Sequence, residues 1–227
     1  MELDRGINKS RIIVSLDFAD KRFLDSIDSY SQDISGVKIG LPSIIEYGTD
    51  FLAGIRKTRL YILADFKLAD IPAVMIRTID ILSKFVDGII MHPFVGTHAV
   101  KKVANHSHSL GIDVFLVVSM THMGAEEFIN RHFDDFVSIA DKYADGVVAP
   151  ATYPRLVRTC RKILGYDKII LSPGVGAQGA PFGSGISNGA DYEIIGRSIT
   201  LSKDPLSTIR RINEIHSKVM KQTIPPR

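Results

Sequence analysis

The sequence predicts a closed (β/α)8 barrel, the TIM-barrel architecture, on three observations. Short runs rich in β-branched residues recur eight times along the chain. Most are continuously apolar, not alternating, as parallel strands covered on both faces are. Between them lie stretches with apolar residues at helical spacing, so strand and helix alternate throughout. Eight such units in 227 residues favour closure into a single domain. An open doubly wound sheet is the alternative, since a count of eight does not by itself prove closure. The domain is expected to span 1–227, with short flexible termini.

In chain order, the first strand candidate is RIIVSLDF (11–18). KRFLDSIDSY follows, with Phe23, Leu24 and Ile27 on one helical side and Asp20 at the N-cap position. The second strand is GVKIG (36–40), after which Pro42 suits a first helical turn. LYILADFK (60–67) is third, and Pro72 opens the next helix. DGIIMHPF (87–94) is fourth, followed by a helix capped by Thr97 that carries His98, His106 and His108. DVFLVVSM (113–120) leads into AEEFINRHFDDFVSIADKYA, read as helical, with Phe128, Phe133, Phe136, Val137 and Ala140 as its apolar side. DGVVAPA (145–151) precedes the helix TYPRLVRTCRKI. KIILSPGV (168–175) runs into a glycine-rich loop, YEIIGRSI (192–199) is the eighth strand, and Pro205 starts the last helix. The end, KQTIPPR, is expected to fray.

Composition narrows the function classes. The chain is 45% hydrophobic and 23% charged, ordinary for a globular protein with a sizeable core. Net charge is +3 and the basic residues are scattered, which favours an anionic small ligand over nucleic acid. Cys160 is the only cysteine, so neither an internal disulfide nor a thiolate metal cluster can form within the chain, and a reducing cytoplasm fits. The N-terminal MELDRGINKS has no apolar signal core, and no run approaches the ~18 apolar residues of a membrane span. The chain therefore reads as soluble, unprocessed and cytoplasmic.

The polar residues fall at the strand ends, where such a barrel places its active site. Asp17, Lys38, Asp65, Lys67, His92, Thr121, Pro150, Pro173 and Arg197 all follow apolar strand bodies. Within ADFKLADIP (64–72), Asp65 and Lys67 are two apart and share one side of a strand, and Asp70 follows. Burying such charges is costly unless they pair, so they form either a structural ion cluster or a chemical one. The second feature is SPGVGAQGAPFGSG (172–185), whose backbone N–H groups can wrap an anion. With Gly196 and Arg197 at the next strand end, it points to a phosphorylated small molecule. Its length is that of a closing lid. His98, His106 and His108 read as surface or helix-dipole residues. His92 and His122 lack a partnered nucleophile, and Cys160 reads as packing.

VSLD (14–17), VKIG (37–40), DFKLADIP (65–72), SPGVGAQG (172–179) and IIGRSI (194–199), in that order, resemble the orotidine 5′-monophosphate decarboxylase family from Asp17 to about Pro205. The resemblance implies cofactor-independent conversion of orotidine 5′-monophosphate (OMP) to UMP in pyrimidine biosynthesis, with no metal. It implies a catalytic charge network of Lys38, Asp65, Lys67 and Asp70, in which Lys67 protonates C6 and Asp70 reaches into the partner subunit's site. It further implies that Asp17 and Lys38 hold the ribose and Thr121 the pyrimidine. Gln178 bridges base and phosphate, and Gly196 and Arg197 take the phosphate. Ile71, Pro173, Gly174, Val175 and Gly176 complete the substrate-binding set. A homodimer with shared sites is expected, acting alone on a small nucleotide, with no nucleic acid, membrane or fused second enzyme. Two positions depart from the family pattern: Thr121 stands for a serine, and Val74 for a threonine that touches ribose. The rival is a metal-dependent sugar-phosphate decarboxylase or aldolase of the same barrel group, in which an acidic metal ligand stands where this chain has Lys38. A non-catalytic nucleotide-binding module is the rival of another class, and it would not need Lys67 between aspartates.

Overall fold

A computed structural model describes residues 10–223. Its wall is β1 (Ile12–Ser15), β2 (Gly36–Gly40), β3 (Tyr61–Leu68), β4 (Gly88–Met91), β5 (Asp113–Val117), β6 (Gly146–Val148), β7 (Ile169–Ser172) and β8 (Tyr192–Ile195). All pairings are parallel, and β8 pairs back onto β1 with Ile13 opposite Ile194. The sheet is closed, so the open-sheet alternative falls.

The continuous apolar runs follow from two apolar environments, one on each face. Ile13, Leu63, Ile90, Phe115, Val117, Leu171 and Ile194 fill the barrel interior. Their neighbours Ile12, Val14, Ile62, Ile89, Val114, Leu116, Val147, Ile170 and Ile195 face the helices in a second, larger core. Tyr61 crosses the interior so closely to Gly88 that a Cβ at Gly88 would collide with its hydroxyl. That hydroxyl donates to Asp113 at 2.7 Å.

The outer layer is α1 (Lys21–Asp25), α2 (Leu41–Tyr47), α3 (Asp50–Arg56), α4 (Pro72–Leu82), α5 (Thr97–Ser109), α6 (Phe133–Tyr143), α7 (Pro154–Leu164), α8 (Ser184–Ser187), α9 (Arg197–Thr200) and α10 (Pro205–Thr223). Asp20 caps α1, accepting the Phe23 N–H at 2.9 Å. Three expectations need correction. Thr97 is the first residue of α5, and Gly96, at φ 92°, holds the cap position. The segment 125–144 is not one helix: two 3-10 turns (Met123–Glu127 and Asn130–His132) precede α6. Asn130 explains the break, because its Oδ1 accepts from Ser119 Oγ (2.9 Å) and the Met120 N–H (3.1 Å), tying the segment to the barrel mouth. Phe128 is accordingly exposed, while Phe133, Phe136, Val137 and Ala140 are buried as expected. Residues 221–223 of the expected frayed end lie in α10, and 224–227 and 1–9 lie outside the described residues.

The rim opposite the strand C-termini carries a repeated clasp. Asp87 donates its N–H to the Ile62 carbonyl and accepts the Ile62 N–H on its carboxylate, each at 2.9 Å. Asp145 makes the same pair of bonds with Val114, and Asp191 with Ile170. Each aspartate sits one residue before an even strand and grips the odd strand before it. A side chain on a surrounding helix meets each carboxylate: Arg56, His108 and Arg161 respectively. At the equivalent place before β2 stands Ser35, which keeps the backbone bond to Ile12 and sends its hydroxyl to the Ser10 carbonyl.

Candidate active site

Continuing the inward-facing alternation one step past the apolar layer gives the site. Ser15, Lys38, Asp65, Ser119, Pro150 and Pro173 follow Ile13, Gly36, Leu63, Val117, Val148 and Leu171 at a spacing of two. They surround a cavity of about 230 Å³ whose floor is Ile90, Val117, Val148 and Ile194.

Its charged wall is a run of alternating side chains. Ser15 Oγ donates to Asp17 Oδ2 at 3.0 Å, and Lys38 Nζ donates to the same oxygen at 2.7 Å. Lys38 also meets Asp65 Oδ2 at 3.1 Å, and Lys67 Nζ spans both Asp65 oxygens at 2.9 and 3.0 Å. Burial acts to raise the Asp65 carboxyl, but Lys38 and Lys67 outweigh it and hold its pKa below the ordinary carboxylate value. Burial likewise acts to lower the Lys38 ammonium, and Asp65 and Asp17 outweigh it to raise its pKa. Both groups therefore stay ionised although they lie under the barrel mouth. Lys67 has a φ of 45°, at a register shift between β3 and β4. A side chain in that left-handed region is strained, and strain of this kind gathers at functional sites. Asp17 Oδ1 is buried without a hydrogen-bond partner among the described residues.

The opposite end is built from backbone. The loop after β7 folds back on itself, with Gly176 N–H on the Ala180 carbonyl (2.8 Å) and Gly179 N–H on the Gly176 carbonyl (2.9 Å). Ser198 Oγ, from α9, accepts the Ala177 N–H at 3.1 Å and lies so close to Gly176 that no Cβ would fit there. Gly174, Val175, Gln178, Gly196 and Arg197 face the cavity. The exposed Arg197 guanidinium lies 5.5 Å from the centroid of the Phe18 ring.

The cavity thus gathers Asp17, Lys38, Asp65, Lys67, Thr121, Pro173, Gly174, Val175, Gln178, Gly196 and Arg197. It does not take in Asp70, Ile71 or Gly176. Asp70 is exposed and its carboxylate accepts the Ile71 N–H at 2.6 Å. Ser15, Phe18, Ser119, Met120 and Ala177 line the site without having been singled out from sequence. Strict alternation from Ile13 and Val117 marks the two serines, whereas Phe18, Met120 and Ala177 carry no sequence signal. His92 follows β4 directly, 8% exposed, and its pKa is lowered to about 4, first by burial and then by the charge of Lys67. His122 is exposed. His106 and His108, read as helix-end residues, pair with Asp80 (2.7 Å) and Asp145 (2.8 Å) from other elements. Cys160 is fully buried in α7, and burial pushes its thiol up to about 12. Among the described residues, no group of three or more His, Cys, Asp or Glu side chains is placed to hold a metal ion.

Comparison with known proteins finds relatives over most of the chain. The profile of the orotidine 5′-phosphate decarboxylase / HUMPS family matches residues 10–212. A protein of Pyrococcus abyssi named orotidine 5′-phosphate decarboxylase is 39% identical over 88% of this chain and 96% of its own. One of the same name from Methanococcoides burtonii is 35% identical over 90% and 96%. Among solved structures, the orotidine 5′-monophosphate decarboxylase of Sulfolobus solfataricus superposes with a TM-score of 0.85 at 29% identity, covering 93% of this chain and 99% of that one. The Methanocaldococcus jannaschii enzyme, complexed with the inhibitor BMP, gives 0.84 at 32% identity, covering 91% and 98%.

Proposed function

The chain belongs to the orotidine 5′-phosphate decarboxylase / HUMPS family, and from that premise we propose that it is a carboxy-lyase converting OMP to UMP without a cofactor. The observation that carries this reading is the run Asp17–Lys38–Asp65–Lys67, ion-paired at each step. Breaking the C6–CO2 bond leaves an electron pair in the plane of the pyrimidine, where the ring π system cannot delocalise it. The site must then stabilise developing negative charge with groups fixed beforehand. The Lys67 ammonium, held by both oxygens of Asp65, is the cation for that task and delivers the proton that replaces CO2 on C6. Asp65 orients Lys67 and lies beside the departing carboxylate. Lys38, locked between Asp17 and Asp65, orders the acids and reaches the ribose. The unpartnered Asp17 Oδ1 is an acceptor suited to a ribose hydroxyl.

Binding is assigned to the rest of the site. Thr121 contacts the base, Gln178 joins base to phosphate, and the phosphate lies against Pro173, Gly174, Val175, Gly176, Gly196 and Arg197. Contacts remote from the reacting bond supply the energy that closes the loop. The metal-dependent rival in the same family needs a cation at the end of β2, where the Lys38 ammonium would repel it. The nucleotide-binding rival gives Lys67 nothing to do, yet Lys67 is held in a strained conformation.

The reading includes a cytoplasmic homodimer whose sites are shared. Asp70 and Ile71 stand outside their own cavity at a corner where Ile71, Val74 and Ile81 are exposed at helical spacing. An apolar stripe of this kind suits a second copy, which would receive Asp70 in its site. Val74 offers no hydroxyl there, so the ribose contact of the usual threonine is missing. No helix among the described residues is long and apolar enough to cross a membrane.

The test is direct. Purified protein incubated with OMP and excess chelator is followed by ultraviolet absorbance, and turnover is expected to persist. Turnover that chelator abolishes and a divalent metal restores would sink the cofactor-free mechanism.

A further inference from the structure

The outer face of β8 carries an acid that the reaction does not use. Tyr192 and Ile194 point into the barrel, which turns Glu193 outward against α8 and α10, where it is fully buried. Its carboxylate is engaged by three donors. Oε1 accepts the Gly185 N–H at 2.8 Å, Oε2 accepts the Gly183 N–H at 3.0 Å, and His216 Nε2 meets Oε2 at 2.7 Å. A carboxylate only accepts, so Nε2 carries the proton in this contact. A well-packed apolar pair would often cost less here. What the acid adds is a fixed position for two backbone amides.

Those amides belong to the root of the 172–185 loop. Gly183 has a φ of 86°, and a Cβ there would meet Val219 and Ile215 of α10 at 3.0 and 3.2 Å. The root is therefore pinned between β8 and the last helix. The same strand, three residues beyond Glu193, delivers Gly196 and then Arg197. Glu193 thus sets the loop that carries Gln178 against the residue that completes the anion end.

We propose that Glu193 and His216 are positioning residues for the phosphate grip, transmitting the docking of α10 to the spacing between the 172–185 loop and Arg197. This rests on the reading of Gln178, Gly196 and Arg197 as the phosphate end. Loss of the clasp lowers affinity for the phosphorylated ligand and leaves the chemistry at Lys67 intact.

The experiment titrates UMP by calorimetry and measures kcat/KM for OMP and for orotidine, which lacks the phosphate. Glu193→Gln and His216→Leu are expected to weaken UMP binding about tenfold, because the loop and Arg197 are no longer held at the spacing that the phosphate needs. Orotidine turnover should stay within about twofold of wild type, as expected for an uncoupled site. His216→Gln, which returns an N–H donor near Nε2, should recover most of the affinity, and it serves if Glu193→Gln does not fold. Equal losses for nucleotide and nucleoside, or His216→Gln no better than His216→Leu, would overturn the proposal. Wild-type protein that binds UMP but does not turn over OMP removes the decarboxylase reading alone, and the UMP titration still reads the clasp.

Discussion

At the scale of single residues, charge and burial make opposite demands, and the outcome differs from residue to residue. Asp65 and Lys38 remain ionised because each has two opposite charges beside it. His92 has only Asp65 acting to raise its pKa, and that is outweighed. Burial and Lys67 depress its pKa from 6.5 to about 4, so below 6.5 the unfolded chain takes up a proton that the folded chain refuses. Stability is then lost as pH falls from 6.5 to about 4 and is fully present above that window. The melting temperature of wild type should decline across this window, and His92→Asn should remove much of the decline; parallel curves would show that His92 titrates normally. Arg197→Ala should lower kcat/KM for OMP by roughly 10²-fold, mainly through KM, since it forfeits charge-assisted bonds worth about 1.5–3 kcal/mol each. Unchanged kinetics would move the phosphate elsewhere. Among these residues the sequence revealed those whose charge is out of place after an apolar run. It did not reveal Phe18, because an aromatic residue beside a strand end is ordinary until its ring is found beside a guanidinium.

At the scale of elements, β3 is where regular geometry is given up. Asp65 and Lys67 were expected to share a strand face, and they do meet, but through a register shift and a left-handed Lys67. Both Lys67→Ala and Lys67→Gly lack the ammonium and should lose at least about 10³-fold in turnover. They should differ in stability, because only glycine is at ease at a φ of 45°. Lys67→Gly should be the more stable by about 1 kcal/mol in denaturant unfolding. Equal stabilities would mean that the conformation carries no strain. The eight strands were legible because both of their faces are apolar. Their C-terminal limits were not: DGIIMHPF ends as a strand at Met91, because Pro93 opens a 3-10 turn. The break before α6 was hidden for a similar reason, since Asn130 acts through partners eleven and ten residues away.

At the scale of the whole molecule, Asp70 faces solvent in the single chain, and only under the proposed shared site does it have a part in the chemistry. If Asp70 serves the partner, co-assembly of Lys67→Ala with Asp70→Ala chains should regenerate one intact site per mixed dimer and return up to roughly half of wild-type activity, as independent sites allow. Differently tagged chains would establish that mixed dimers formed; mixed dimers as inactive as their parents would refute the shared site. The closed barrel followed from the sequence because a repeating strand–helix pattern has few compact solutions. The clasp at the far rim did not stand out, though it is written three times, as VDG, ADG and ADY before β4, β6 and β8. Its consequence reaches beyond packing. Each aspartate closes a reciprocal ring with the strand before it, so a carboxylate reaches across β3–β4, β5–β6 and β7–β8 in addition to the backbone ladder. If these rings set the order of opening, amide hydrogen exchange releases each ringed pair as one cooperative unit, and exchange that ignores the pairs would show that the ladders alone govern it.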